Sequence, residues 1–233
     1  MHPFDADGMI TAIQVSNGSA FFRNRFVKTK GYTTELRTKR VSYRGIFGTQ
    51  KSGGLLSNIF DVQLKNVANT NVLYWYGRLL ALWEGGLPHL LEPDSLRTVG
   101  EYKFKGSLKG GDSCTAHPRF DAASGRLVTF SEKKDLIWSK TSVTVREYTS
   151  NLTVANERYP NIASTAYRCA DLFQYFVLRR TFDLPYFTFF HDFTVTKNHY
   201  IFDQGPLQLN PTDFILGKKV TAQLLCNVKN VCN

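Results

Sequence analysis

Short runs of alternating apolar and polar residues, separated by turn residues, dominate this chain of 233 residues. Residues 9–15 alternate, residues 16–19 (Ser-Asn-Gly-Ser) have the composition of a hairpin turn, and residues 21–27 continue the pattern. A repeat of two residues places one kind of side chain on each face of a strand. Many short strands with little helix are typical of a β-propeller or a β-barrel. The sequence therefore predicts an all-β fold, and the patterning alone does not choose between these two architectures.

Three further pairs of strand-like runs are joined by turn residues in the same way. They are residues 71–76 and 78–83 around Gly77, residues 113–118 and 127–131 around a turn at 123–125, and residues 186–195 and 200–203 around Lys197 and Asn198. One helix is predicted at residues 55–67, where apolar residues recur at roughly helical spacing. No repeat of fixed period is visible.

Composition and charge restrict the classes of function. Hydrophobic residues make up 42% of the chain and aromatic residues 14%, which is enough for a packed core. No run approaches the roughly 18 apolar residues of a membrane-spanning helix, and the first residues lack the pattern of a secretory signal, so we expect a protein that is not secreted. The net charge of +10 is most concentrated at residues 28–44, which alternate with Thr, Tyr and Val like a solvated strand edge or loop. Contact with a membrane surface or with nucleic acid is the alternative interpretation.

Two histidines stand in apolar and aromatic surroundings at the edges of predicted strands. His117 lies in SCTAHPRFD (residues 113–121) and His191 in FFHDF (residues 189–193). They are 74 residues apart, so they belong to different hairpins and can converge only through the fold. Neutral imidazoles are common ligands of divalent transition metals. Each motif alone is a weak signal for a metal site.

The other histidines are interpreted as structural. His2 lies in a turn motif, His89 follows Gly-Gly-Leu-Pro and is assigned to a loop, and His199 lies in an exposed Lys-Asn-His turn. Asp192 alternates to the strand face opposite His191, where a structural hydrogen bond is expected.

A carboxylate follows the apolar run Leu-Leu-Ala-Leu-Trp at residues 79–83. A buried carboxylate needs a hydrogen-bond partner, and a metal-bound histidine commonly donates its second ring N–H to such a group. Glu84 is therefore the candidate acceptor beside a ligand. The alternative is a glutamate at a strand end that faces water.

Several motifs, in this order along the chain, resemble those of the carotenoid cleavage oxygenase family, also called the retinal pigment epithelial membrane protein family. They are HPFDADGM at 2–9, FRNRFV at 22–27, NTN at 69–71, LLALWEGG at 79–86, TAHP at 115–118 and HDF at 191–193. The sequence YRGIFG at 43–48 is similar to apocarotenoid oxygenases in particular. The resemblance covers most of residues 2–158 and 181–217.

The resemblance implies a fold, a cofactor and a reaction. The family fold is a seven-bladed propeller with iron on its axis, of which this chain would form about three blades with one short helix. His117 and His191 would be two of four histidine ligands to Fe(II), with Glu84 as the acceptor that orients His191. Trp83 and Phe189 would line an apolar substrate tunnel, or else pack as ordinary core residues. The substrates would be a carotenoid or apocarotenoid and O2, whose reaction converts one C=C bond to two carbonyls.

The resemblance also implies a substrate drawn from a membrane, and hence peripheral membrane contact; the compartment is left open between plastid and cytoplasm. No nucleic-acid partner is expected. A β-rich module that binds nucleic acid would need a clustered basic stripe with interleaved aromatic residues, and residues 21–44 only hint at one.

Two segments depart from the family pattern. Residues 159–180 interrupt a passage that would be continuous without them, and residues 226–233 lack alternation. We interpret residues 1–233 as a single partial propeller domain, a fragment with an atypical insertion and an atypical C-terminus. Translated intron is one hypothesis for residues 159–180, and a surface insertion between strands is the other. With two of four histidines we expect no cleavage by this polypeptide alone, so a non-catalytic truncated product is the alternative function.

Overall fold

The computed structural model describes residues 2–135, 140–150, 180–184, 189–196, 199–202, 207–209, 211–218 and 225–227. In these ranges the chain is mostly β-strand with a few short helices, which confirms the expected class. It separates into two compact units, residues 1–102 with 211–224 and residues 103–210 with 225–233. The atypical segment at residues 159–180 lies outside the described residues, apart from Arg180. None of the helices in the described ranges combines the length and the apolar character that crossing a lipid bilayer requires.

The first unit begins with the predicted hairpin. Strand β1 (Met9–Ser16) pairs antiparallel with β2 (Ser19–Phe26), with Ser16 opposite Ser19. The two central turn residues, Asn17 and Gly18, have positive φ of 49° and 74°. Positive φ at both positions matches the right-handed twist of the paired strands, and Asn-Gly is the sequence that adopts it most readily.

A four-stranded antiparallel sheet follows, with its strands in sequence order. Its members are β3 (Asn71–Trp75), β4 (Arg78–Leu82), β5 (His89–Leu91) and β6 (Thr98–Glu101). The turn between β3 and β4 contains the predicted hinge residue Gly77 together with Tyr76, which was predicted as strand, and both residues have positive φ. Ala81 and Leu91 of this sheet pack with Val27 and Ala68, and these four residues form a buried apolar cluster.

The basic segment at residues 28–44 contains a helix, so its assignment to a strand edge or loop was wrong. Helix α1 (Lys30–Thr38) begins at Thr29, whose hydroxyl accepts a hydrogen bond from the Tyr32 N–H at 3.1 Å. It is held by polar contacts: the Glu35 carboxylate binds Lys65 Nζ at 2.6 Å and accepts from the N–H of Ser42 at 2.8 Å. Because its one buried residue is a glycine, the sequence carries no apolar stripe that would have indicated a helix.

The helix predicted at residues 55–67 ends after one turn. Helix α2 (Leu55–Asn58) is followed by extended backbone at Ile59, and Leu56 is 88% exposed. In a longer helix, the carbonyl oxygens of this segment would accept hydrogen bonds from later backbone N–H groups. Here Arg44 donates to them instead. Its guanidinium donates to the carbonyl oxygens of Asn58 at 3.3 Å and Asp61 at 2.7 Å. The one predicted helix is thus too long, and the described chain has α1 and α3 (Pro211–Ile215) in addition.

The second unit contains another four-stranded antiparallel sheet in sequence order. Its strands are β7 (Arg119–Asp121), β8 (Arg126–Asp135), β9 (Lys140–Tyr148) and β10 (Arg180–Leu184). The hairpin of β11 (Phe193–Val195) and β12 (Tyr200–Phe202) follows, and then the pair β13 (Leu207–Leu209) and β14 (Leu225–Asn227). Cys226 therefore lies in a paired strand, although its segment lacks alternation in the sequence.

An aromatic core joins this hairpin to the sheet. Phe130 of β8 contacts Phe193 edge-on at a centroid distance of 5.1 Å and Phe202 at 5.2 Å. Its buried members are Val128, Phe130, Val143, Val145, Phe190 and Phe193. Such rings bury large apolar areas and prefer these edge-on contacts, so they fix the hairpin on the sheet.

His89 lies in strand β5 and is 3% exposed, so its assignment to a loop was wrong. Its ring donates a hydrogen bond to the carbonyl of Leu87, and its pKa is lowered from the usual 6.5 because burial disfavours the charged form. The apolar residues around β5 are close in space but not in sequence, which is why the sequence does not reveal this burial.

We predict that Arg44→Ala destabilises the first unit by roughly 3–5 kcal/mol, because it removes a buried guanidinium that donates to three carbonyl groups and it opens a cavity. Arg44 is 0% exposed, donates also to the Phe214 carbonyl at 2.7 Å, and lies 3.7 Å from the Phe214 ring centroid. Urea denaturation measures the change. The matched control is Arg40→Ala, since Arg40 is exposed. Equal stability of the two variants would contradict this role of Arg44.

We predict that protonation of His89 weakens the fold below about pH 6.5. A histidine whose folded-state pKa is lowered takes up more protons when unfolded, so its contribution to stability is present at higher pH and is lost as pH falls through the unfolded pKa. Unfolding free energies at pH 7.5 and 5.5 test this. His89→Gln retains a donor for Leu87 and should flatten the pH dependence, whereas the same change at exposed His199 should not. Parallel pH profiles for all three proteins would refute it.

Candidate metal centre

His117 lies on an irregular segment directly before β7, so the strand predicted at residues 113–118 is wrong. This segment is nevertheless fixed: Cys114, Thr115 and Ala116 are at most 2% exposed. The Thr115 N–H donates to the Phe130 carbonyl at 2.8 Å, and the His117 N–H donates to the Thr115 hydroxyl at 3.0 Å. A buried backbone held by these bonds positions the half-buried imidazole as firmly as a regular strand would.

His191 lies two residues before β11, in a segment that is tied to the same strand β8. The N–H of Phe190 donates to the Glu132 carboxylate at 2.5 Å, and the Phe190 ring is buried in the aromatic core. The backbone of Glu132 is bound in turn to Ser113, whose hydroxyl donates to the Glu132 carbonyl at 3.0 Å and accepts from its N–H at 2.9 Å. One residue of β8 therefore anchors both histidine-bearing segments.

The structure brings the two predicted ligands together within the second unit. The rings of His117 and His191 have centroids 4.5 Å apart and an interplanar angle of 67°. Each ring offers a nitrogen to a possible ion, and these nitrogens lie within 4.8 Å of each other. Imidazole nitrogens bind a divalent metal at about 2.0–2.1 Å, so two rings that meet one ion at an N–metal–N angle near 90° have centroids about 4.5 Å apart. The two residues fit a shared metal ion.

A salt bridge connects the two segments next to the histidines. Arg119 Nη2 lies 2.7 Å and 2.6 Å from the two carboxylate oxygens of Asp192. Arg119 Nε also donates to the Phe193 carbonyl at 2.8 Å. The structural hydrogen bond expected for Asp192 is therefore present, in its contact with Arg119. The Asp192 carboxylate also accepts a hydrogen bond from the Phe193 N–H. The sequence alone did not indicate that Asp192 pairs with Arg119. The available signal was that an arginine follows His117 by two residues and that an aspartate directly follows His191.

Glu84 and Trp83 belong to the first unit, at the end of β4. Glu84 is half-buried, and its carboxylate accepts a hydrogen bond from the Thr70 hydroxyl at 3.0 Å. Glu84 is therefore a partnered carboxylate rather than a fully solvated one. Trp83 is 6% exposed. That Glu84 accepts from His191, and that Trp83 lines a tunnel, stay predictions.

Phe189 precedes the His191 segment and is 38% exposed. The Lys134 ammonium lies 4.9 Å from its ring centroid, a cation–π contact. Its tunnel-lining role also stays a prediction.

Two other histidines have the structural places expected of them. His2 Nδ1 accepts from the Phe4 N–H at 3.3 Å, and its ring stacks on Phe47 at 5.5 Å. His199 is exposed in the turn before β12, where its N–H donates to the Thr196 hydroxyl at 3.0 Å.

Comparison with known proteins identifies the family. The family model described as retinal pigment epithelial membrane protein matches residues 1–229. The chain therefore belongs to this family, as the motifs around the two histidines indicated.

Relatives with established names are oxygenases. The apocarotenoid-15,15'-oxygenase of Synechocystis is 40% identical over 93% of this chain and 40% of its own length. The chloroplastic carotenoid cleavage dioxygenase 7 of Arabidopsis thaliana is 29% identical over 91% of this chain and 37% of its own. The chain thus spans about two fifths of the length of these relatives.

Solved structures agree with this assignment. A cobalt-substituted apocarotenoid oxygenase of Synechocystis superposes with a TM-score of 0.80 at 36% identity, over 97% of this chain and 43% of that one. A chimera of apocarotenoid oxygenase and RPE65 gives a TM-score of 0.79 at 37% identity, with the same coverage. A metal ion is thus part of at least one close structural neighbour.

We predict that Gly85→Ala displaces the Trp83 ring. A Cβ at residue 85 would lie 2.4 Å from the outer edge of that ring, which is buried and has little space to move. Overpacking of this kind costs roughly 1–3 kcal/mol of unfolding free energy. The measurements are denaturant unfolding and near-ultraviolet circular dichroism. Gly110→Ala is the control, since a Cβ there meets nothing within 4 Å; an unchanged tryptophan signal in Gly85→Ala would contradict the prediction.

Proposed function

We propose that this chain is part of a non-haem Fe(II)-dependent oxygenase that cleaves a carotenoid or apocarotenoid, with His117 and His191 as two of the iron ligands. The observation that carries the proposal is the convergence of these imidazoles, at 4.5 Å between centroids, from positions 74 residues apart. Pairs of neutral imidazoles are suited to Fe(II) and leave positions open for other ligands. The names of the relatives support the substrate class.

The metal would supply activation of O2, whose two atoms replace one C=C bond by two carbonyl groups, so that the atoms balance without a further reductant. The chain's own residues would bind the metal ion and orient its ligands. Both imidazoles must be neutral to bind, with the lone pair of one ring nitrogen directed at the ion. We propose that Glu84 accepts the second ring N–H of His191 and fixes its tautomer, as carboxylates do beside many metal-bound histidines.

The aromatic side chains would contact the polyene substrate. Trp83 and Phe189 present apolar faces that suit a conjugated chain and exclude water from it. The two four-stranded sheets, each with its strands in sequence order, support the proposal that they are two blades of a propeller. The chloroplastic relative favours a plastid over the cytoplasm as the compartment.

Metal titration of the purified chain tests the proposal. We expect Co(II), used as a stable probe for Fe(II), to bind the wild type with one saturating step in calorimetry. His117→Ala and His191→Ala should each weaken binding by at least about 10-fold, because each removes a nitrogen ligand. His199→Ala is the matched control, being an exposed histidine of the same unit. Equal affinity of all four proteins would show that the metal does not bind at this pair.

Cleavage is measured on the Fe(II)-loaded protein with an apocarotenoid under 18O2. Loss of polyene absorbance with one labelled oxygen in each carbonyl product, abolished by His117→Ala, supports the activity for this chain. Metal binding without products would restrict its role to binding.

A further inference from the structure

We propose that Arg119 and Asp192 form a clamp that positions His117 and His191 on one metal ion. The clamp consists of the two hydrogen bonds from the Arg119 guanidinium to the Asp192 carboxylate and of its third bond to the Phe193 carbonyl. The inference rests on the proposed metal site and assigns positioning residues to it. Neither residue is offered as a ligand.

The position of the clamp in the chain is the first argument. Arg119 is the second residue after His117, and Asp192 directly follows His191. Extended backbone advances about 3.3 Å per residue, so a slip of one residue between the segments would separate the two rings by more than the reach of one ion. A contact this close to both ligands limits such slippage more directly than any contact deeper in the sheet.

The chemistry of the clamp is the second argument. A guanidinium is planar and donates from a rigid fork: Nη2 binds both oxygens of the Asp192 carboxylate and Nε binds the Phe193 carbonyl, so the fixed angle between the two nitrogens sets direction as well as distance. The third bond, to the Phe193 carbonyl, reaches the first residue of β11. Arg119 therefore binds a side chain and a backbone atom of the other segment at once. A lysine would keep the charge but lose the fork.

The solvent exposure of Arg119 and Asp192 indicates that the clamp contributes little to folding stability. The side chains of Arg119 and Asp192 are 41% and 44% exposed. Ion pairs open to water add little to folding stability. The hairpin is fixed on its sheet by the aromatic core, which does not involve Arg119. Loss of the clamp should therefore leave the unit folded and change the relative placement of the two imidazoles.

The same unit offers a matched control. Arg126 Nη1 binds the Glu147 carboxylate at 2.8 Å and joins β8 to β9, so it is also an arginine–carboxylate bridge. It lies opposite Asp121, at the end of β7 farther along the chain from His117. The side chains of this bridge are less exposed than those of the clamp, at 26% and 14%, so removing it costs at least as much folding stability while leaving the clamp in place.

The experiment compares Co(II) affinity, the visible absorption of bound Co(II) and melting temperature in the wild type, Arg119→Ala, Arg119→Lys, Asp192→Asn and Arg126→Ala. We expect about 10-fold weaker binding in Arg119→Ala and Asp192→Asn, as is typical when residues that orient ligands are lost. Arg119→Lys should recover only part of the affinity. The Co(II) absorption should change in the clamp variants, because it reports ligand geometry. Arg126→Ala should bind like the wild type, with a melting temperature no higher than that of Arg119→Ala.

The outcomes separate the two proposals. If the wild type binds Co(II) through its histidines and the clamp variants match it in affinity and absorption, the clamp is overturned and the metal site stands. If the wild type does not bind, the proposed function fails and the clamp with it. Should Arg119→Ala fail to fold, the isosteric Asp192→Asn decides, since it removes the charge and preserves the volume.

Discussion

The edge-on packing of Phe130 against Phe193 and Phe202 is the interaction on which the second unit depends. It joins a short hairpin, which would be marginal alone, to a four-stranded sheet that supplies a large apolar face. Phe193 begins the strand that directly follows the His191 segment, and Phe130 accepts through its carbonyl the bond that fixes Thr115 before His117. Burial of these rings thus brings the segments together, but it does not set the orientation of either imidazole.

The orientation of the two histidine-bearing segments is set by a few polar contacts on strand β8. Glu132 holds Ser113 through its backbone and the Phe190 N–H through its carboxylate, so both histidine segments share one reference point. The Glu132 side chain is 8% exposed, and its carboxylate is also balanced by Lys134 Nζ at 3.2 Å. Such satisfied networks specify geometry in a way that apolar contacts do not. In the candidate centre, aromatic burial holds the two histidine-bearing segments together, and the hydrogen bonds of Glu132 set their local geometry.

Local features were predictable from the sequence and distant ones were not. The hairpins at Asn17-Gly18 and Tyr76-Gly77 were found because the turn residues and the alternation lie within a few positions of each other. The helix α1 was missed because it docks by the ion pair of Glu35 with Lys65, which leaves no apolar periodicity. The predicted helix at residues 55–67 failed because Arg44 competes for its carbonyls. The two candidate ligands, His117 and His191, followed from the family resemblance, whereas Arg119 and Glu132 looked like ordinary surface residues of strands.

The separation of the two imidazoles along the chain has a thermodynamic consequence. An ion held by both would close a loop of 74 residues, and it would bind the folded unit far better than the unfolded chain. By mass action, free metal at a hundred times the dissociation constant adds about 2.7 kcal/mol to the apparent stability. The cellular supply of iron would then regulate the lifetime of the protein as well as its chemistry, with the depleted form the more readily degraded.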